Sequence, residues 1–257
     1  MRAAAAAPAF LRHVSVLAGR DVRRALTRRG LLGIVVGPVV FLLAFTAAFR
    51  SLLDARGVDY HQYLPPGIVV QAMLETAIAT AFFVSGERRS GLLERWRSLP
   101  IESAVVPAAR LVADAVRAAI AVVAVVAVAY VIGFRFEAGA ARGVAFVLLA
   151  VAFAICLAAG TAALGLAATN PELVLSLLFL PFLPLVAIST VFVPADAFAG
   201  WLRPVVEASP ISVVADSLRA LATGGPLSHS LWRALAWMAA FATCFGYLAA
   251  RAFRRAG

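Results

Sequence analysis

The chain has 257 residues, of which 63% are hydrophobic and only 14% charged, with a mean hydropathy of +0.94. Soluble domains average about 45–50% apolar and about 25% charged residues. A single core of this size cannot hide the difference, so a water-soluble fold is excluded and an integral membrane protein takes its place. The apolar segments follow one another closely, which predicts one membrane domain without a sizeable soluble appendage.

The formal net charge of +10 comes from 23 basic and 13 acidic residues, and every basic residue is an arginine. A Walker A loop needs a lysine on the nucleotide phosphates, and a Schiff base needs a lysine amine. Neither is available here. Nucleotide binding through a P-loop of its own is therefore excluded. Cys156 and Cys244 both sit in apolar runs, where a thiol packs as a small hydrophobe, and their spacing is no metal or disulfide framework.

In chain order, the first predicted element is an amphipathic helix over residues 9–29. Phe10, Leu11, Val14, Leu17, Ala18, Val22, Ala25 and Leu26 share one face and arginines occupy the other. Such a helix lies along a membrane surface, as a plain anchor or as a docking element. The alanine-rich start has too weak an apolar centre before Arg12 for a secretory signal. The predicted domains are thus 1–29, an interface helix, and 30–257, a transmembrane bundle.

Six apolar stretches are long enough for a hydrocarbon core of about 30 Å: about 30–49, 64–86, 109–134, 143–169, 173–193 and 234–250. Each must be helical, because lipid offers no partner to unpaired backbone groups. Between the second and third lies ERRSGLLERWRSLP, residues 87–100. It reads as a short amphipathic helix or as an interfacial loop anchored by Trp96. Between the fifth and sixth, residues 194–230 are too apolar for a solvated loop. Ser209-Pro210 signals a helix start and Gly224-Gly225 a stop, so two short helices that dip back into the outer leaflet are expected.

With the N-terminus inside, fourteen arginines fall on the inner segments and seven on the outer ones. That bias puts both termini in the cytosol. The same placement accounts for the charge excess, so nucleic acid is not an expected partner.

The order of these features resembles the permease subunit of a type-2 ATP-binding-cassette exporter, of the daunorubicin-resistance kind. The resemblance covers essentially the whole chain. Its carriers are the basic N-terminal helix, YLPPGI at residues 63–68, ERRSGLLER at the inner turn, and FVPADAFAGWLRPVVEASPISVVADSLRAL at residues 192–221. The last departs from many relatives in having Phe-Ala-Gly before Trp201. The resemblance implies an all-α integral membrane fold of six transmembrane helices, with an N-terminal connecting helix, a cytosolic coupling helix and re-entrant outer helices. It implies that residues 87–99 dock on the ATPase through Glu87, Arg88, Arg89, Leu92, Leu93, Trp96 and Arg97. It also implies that Phe192, Pro194, Trp201 and Pro210 belong to an outer gate. Two cytosolic P-loop ATPase subunits would carry ATP and Mg, with no cofactor on this chain. A second permease chain, identical or homologous, would complete a path for a hydrophobic drug or lipid across a bacterial cytoplasmic membrane.

Within the spans, Glu75 is the one mid-helix charge, and an acid there costs roughly 2.5–3.5 kcal/mol on insertion scales. With Gln71 and Thr76 it forms a polar stripe, either a cavity wall for a cationic or amphiphilic substrate or an interhelix hydrogen-bond site. Arg110, Asp114 and Arg117 form one stripe in which Asp114 can pair with both arginines. Pro181 and Pro184 predict a kink in the fifth span. Phe179 and Phe182 beside them would line a path or face lipid. No catalytic triad, carboxylate pair or metal cluster is legible. A polytopic enzyme acting on lipids, or a polysaccharide exporter of the same class, are the alternatives.

Overall fold

The computed structural model describes residues 2–98, 102, 104–168 and 170–255, with the side chains of 2–9, 97, 228, 229 and 246–255 outside that description. Ten α-helices and no strand are present among the described residues: α1 (Arg2–Ala25), α2 (Arg28–Asp54), α3 (Tyr60–Arg89), α4 (Leu92–Arg97), α5 (Val105–Ile132), α6 (Ala140–Ala167), α7 (Pro171–Ala187), α8 (Arg203–Ala208), α9 (Pro210–Thr223) and α10 (Ser228–Arg255), with a 3-10 turn at Ala195–Ala197. Four of them, α2, α3, α5 and α6, are long and apolar enough to cross a membrane, and α7 is a shorter apolar helix of 17 residues. The chain is a multi-pass membrane protein.

Helix α3 is the axis of the bundle. Its apolar window is 72% buried against 11% for that of α2, so α3 meets protein on nearly every side while α2 stands at the periphery. Lipid tails are as apolar as leucine, so helices in a bilayer associate through close packing more than through hydrophobic transfer. The buried positions of α5 and α6 fit that demand, being mostly small: Ala109, Ala113, Ala118 and Ala121 on one, Ala150, Ala154, Ala158, Ala163 and Gly165 on the other. The alanine-rich composition is thus the material of a tightly packed bundle.

Helix α1 lies against the start of α5, where Val14 and Ala18 pack on Val105 and Ala109. The apolar stripe read from the sequence is therefore used in part for packing on the chain itself, while Leu11 and Leu26 stay exposed. The helix ends at Ala25, earlier than expected. Thr27 then caps α2, its hydroxyl accepting from the Gly30 amide at 3.2 Å.

Two further boundaries differ from the sequence reading. The stretch from residue 87 is not one helix, because Glu87, Arg88 and Arg89 complete α3. Gly91, in the left-handed region at φ 68°, then turns the chain into a separate six-residue α4. Leu99 and Pro100 lie outside the described residues. The fifth apolar stretch stops as a helix at Ala187 instead of residue 193, and Pro181 and Pro184, each without an N–H to donate, lie inside it.

The segment after α7 folds back as α8 and α9. Ser209-Pro210 begins α9 as expected, and Gly224 at φ 85° ends it, but the Ser209 hydroxyl makes no capping bond. Helix α9 packs on α3, α6 and α10, with Ile211, Val213, Val214, Leu218 and Leu221 buried. It is a wedge in the bundle.

Candidate functional site

Three groups of polar side chains interrupt the apolar bundle: one at the α4 end, one halfway along α3, and one at the α9 end.

At the α4 end, Glu87 joins three helices. Its carboxylate pairs with Arg110 of α5 and lies 3.5 Å from the guanidinium of Arg20 on α1. Arg20 also pairs with Asp21 at 2.8 Å and sits 4.9 Å from the centre of the Trp96 ring. Trp96 is buried, so α4 is held to α1 by this cation–π contact, whose strength is about 0.5–2 kcal/mol. The side chains of Glu87 and Arg110 are about one-tenth exposed. Removing either leaves a buried charge, at a cost of about 3–5 kcal/mol.

The expected stripe on α5 therefore divides. Arg110 does not pair with Asp114 but reaches across to Glu87, which the end of α3 brings beside it. Asp114 bonds to Arg117 one turn on and accepts from the Thr80 hydroxyl at 2.9 Å. Among the other residues expected to meet a partner, Arg88 donates to the Leu166 carbonyl at the end of α6. Arg89 reaches Glu172 at 3.8 Å, both well exposed, where an ion pair contributes little. Leu92 and Leu93 are half-buried, and the Arg97 side chain lies outside the described residues.

Halfway along α3 the Gln71 amide donates to Glu75 at 3.0 Å. Thr76 turns back onto the Ala72 carbonyl at 2.9 Å. The second oxygen of Glu75 faces α2, where a Cβ on Gly37 would meet it at 3.4 Å. Glu75 and Thr76 line a cavity of about 600 Å³ between α1, α2, α3, α4 and α5, within the usual range of small-molecule sites. Phe82, Phe83, Ile34 and Ala79 form its apolar wall, and Asp21, Arg24, Arg29, Glu87, Leu92 and Arg110 its rim at the α4 end. Glu75 lies twelve residues from Glu87, about 18 Å along the helix. Phe179 and Phe182 do not join this cavity. They meet edge to face at 5.6 Å on α7, with Phe182 buried and Phe179 exposed.

At the α9 end the organising residue is Arg219, which sequence reasoning counted only as an outer charge. Its guanidinium donates to the Tyr63 carbonyl at 2.9 Å, to Asp216 at 2.7 Å and to the Thr190 and Val191 carbonyls. The Tyr63 hydroxyl donates to Thr190 at 2.7 Å and the Tyr60 hydroxyl to Phe192 at 3.2 Å, both onto carbonyls. Beside them a Cβ on Gly67 would fall 2.2 Å from the Val191 carbonyl, so only glycine admits that approach. YLPPGI is thus the seat for the chain leaving α7. Phe192 stacks on Phe45 with ring centres 4.0 Å apart. Pro194 precedes the 3-10 turn, Pro210 opens α9, and Trp201 is 79% exposed. The gate residues named from the sequence lie on one connector. The signal for Arg219 was available in the polar Thr190 and Ser212 set in apolar runs, each needing a partner.

The ABC-2 type transporter family model matches residues 12–222. A daunorubicin resistance ABC transporter permease protein of Streptomyces coeruleorubidus is 30% identical over 194 residues, covering 76% of this chain and 69% of that protein. A doxorubicin resistance ABC transporter permease protein of Mycobacterium tuberculosis is 30% identical over 244 residues, covering 90% of this chain and 84% of that protein.

Proposed function

Because the chain belongs to the ABC-2 type transporter family, we propose that, as the transmembrane permease subunit of an ABC exporter, it moves a hydrophobic or amphiphilic drug out across a bacterial cytoplasmic membrane. Its similarity to permeases named for daunorubicin and doxorubicin resistance supports a drug as cargo. The largely apolar cavity wall favours such a cargo over a polysaccharide. ATP is hydrolysed by a separate partner chain, and the proposed assembly has two ATPase subunits, which carry ATP and Mg, and a second permease chain. Helices α2, α3, α5, α6, α7 and α10 are the six proposed spans, with both termini in the cytosol and α9 re-entrant from the outside.

One observation carries the mechanism. Leu92 of α4 and Glu87 at the end of α3 line the rim of the same cavity that reaches Glu75. Movement of the ATPase subunits against α4 therefore acts directly on the rim of the proposed substrate path. Glu75, with Gln71 and Thr76, is the proposed polar contact for the cargo, while Phe179, backed by the buried Phe182, is open to a second permease chain or to lipid. The connector with Phe192, Pro194, Trp201 and Pro210 is the proposed outer gate.

The test is reconstitution of the chain with its ATPase partner in liposomes. ATPase activity stimulated by daunorubicin, together with ATP-dependent uptake of the drug, is the expected result. A complex that hydrolyses ATP and moves no amphiphilic drug overturns the cargo, and failure of the two chains to co-purify overturns the assembly.

A further inference from the structure

The rim of the cavity holds more positive charge than it pairs. Asp21 and Glu87 at the rim are already engaged by Arg20 and Arg110. Arg24 near the end of α1 and Arg29 at the start of α2 line the same rim and have no carboxylate within ion-pair distance among the described residues. Two positive charges are left over where the chain enters the apolar bundle. Deeper on the same wall stands Arg117, seven residues along α5 from Arg110 and so about 10 Å further in. It is 9% exposed, paired with Asp114 and set 5.0 Å over the Phe83 ring, yet its Nε–H is buried without an acceptor. Asp114, in the same ion pair, keeps a second buried oxygen that is likewise unbonded, so Arg117 is answered within the chain and the two rim arginines are the charges left for a ligand.

We propose that this half of the cavity binds the headgroup of an anionic phospholipid. The phosphate rests on Arg24 and Arg29, and one acyl chain lies along Ile34, Phe82 and Phe83. Phe83, 45% exposed, carries that wall out to the surface of the bundle, where the chain leaves. Basic pockets between membrane helices bind acidic headgroups by the same physics. The bound lipid sits beside Glu87, Arg110 and Leu92 and so props the rim that α4 adjoins. Only the leaflet, the inner one, rests on the proposed orientation.

The test uses the full chain purified with its ATPase partner in maltoside detergent, where no leaflet exists. Headgroup selectivity can therefore fail separately from topology or transport. The complex is incubated with equimolar dioleoyl phosphatidylglycerol and dioleoyl phosphatidylcholine, exchanged, and its retained lipid quantified by mass spectrometry. Retention of phosphatidylglycerol over phosphatidylcholine by about fivefold is expected, falling to near one in Arg24→Gln/Arg29→Gln and kept in Arg24→Lys/Arg29→Lys. If the double glutamine variant aggregates, each single variant is read instead, with an expected fall of about twofold. Equal retention of the two lipids by the unaltered chain overturns the proposal, as does selectivity that survives loss of both arginines. Displacement of phosphatidylglycerol by 10 mM inorganic phosphate assigns the site to a soluble anion and overturns the lipid. Loss of the ATPase chain with selectivity intact assigns the arginines to that partner and overturns it too.

Discussion

The guanidinium of Arg219 lies 3.7 Å from the centre of the Tyr63 ring while its Nε donates to the carbonyl of the same tyrosine. One arginine on α9 thus grips both the face and the backbone of a residue in the first turn of α3. With Nη2 it holds the Thr190 and Val191 carbonyls, which lie in the non-helical connector after α7. Replacing Arg219 by Ala removes these charged hydrogen bonds together, and a loss of about 2–4 kcal/mol is expected. Arg219→Lys recovers little of it, because a point charge cannot reproduce the planar fork. The midpoint of thermal unfolding in detergent measures both variants, and an unchanged midpoint for Arg219→Ala refutes the clamp.

Gly67→Ala drives a methyl group into the Val191 carbonyl, and overpacking of that kind costs about 1–3 kcal/mol. Gly19→Ala on α1 is the control, since its Cβ meets nothing within 4 Å and a helical glycine gains about 1 kcal/mol on becoming alanine. The two midpoints should move in opposite directions. A Gly67→Ala protein as stable as the original removes the argument for close approach.

Glu75→Gln keeps the shape of the side chain and its contact with Gln71 while discarding the charge. Transport of a cationic amphiphile should fall at least tenfold with expression and monodispersity unchanged, as measured in the liposome assay. Normal transport at normal expression returns Glu75 to a structural hydrogen bond.

Arg20 and Trp96 give a coupling that a double-mutant cycle can isolate. Arg20→Gln and Trp96→Leu, singly and together, should show an interaction energy of about 0.5–2 kcal/mol in thermal stability. The same variants should lower drug-stimulated ATPase more than basal ATPase, because α4 loses its hold on α1. Strict additivity in both measurements removes the link.

How much of this was legible beforehand depended on the range of the interaction. Four of the apolar spans, the α9 start at Pro210 and its end at Gly224 are written in local chemistry, and they read correctly. The Gly91 turn was visible as a glycine, but not its consequence, that Glu87 finishes α3 while Trp96 belongs to α4. Arg110 looked like the partner of Asp114 because i, i+4 spacing is all a sequence displays. The nearer carboxylate came from residue 87, on another helix. Arg219 escaped for the same reason, its ligands being backbone carbonyls 28 to 156 positions away. The cavity combines residues of α1, α2, α3, α4 and α5, so only Glu75, anomalous by its own polarity, announced it.

Helix α3 runs for 30 residues, about 45 Å at the helical rise, with the Tyr63 clamp at one end and the Glu87 junction at the other. It behaves as a stiff beam held at both supports. A tilt of about 5° displaces one end by about 4 Å relative to the other, more than any hydrogen bond at either support can stretch. The Pro65-Pro66 pair, inside the helix just beyond Tyr63, interrupts its hydrogen bonding and supplies the flexure. The two mouths of the bundle thus share one mechanical member, with its proline pair close to the α9 end.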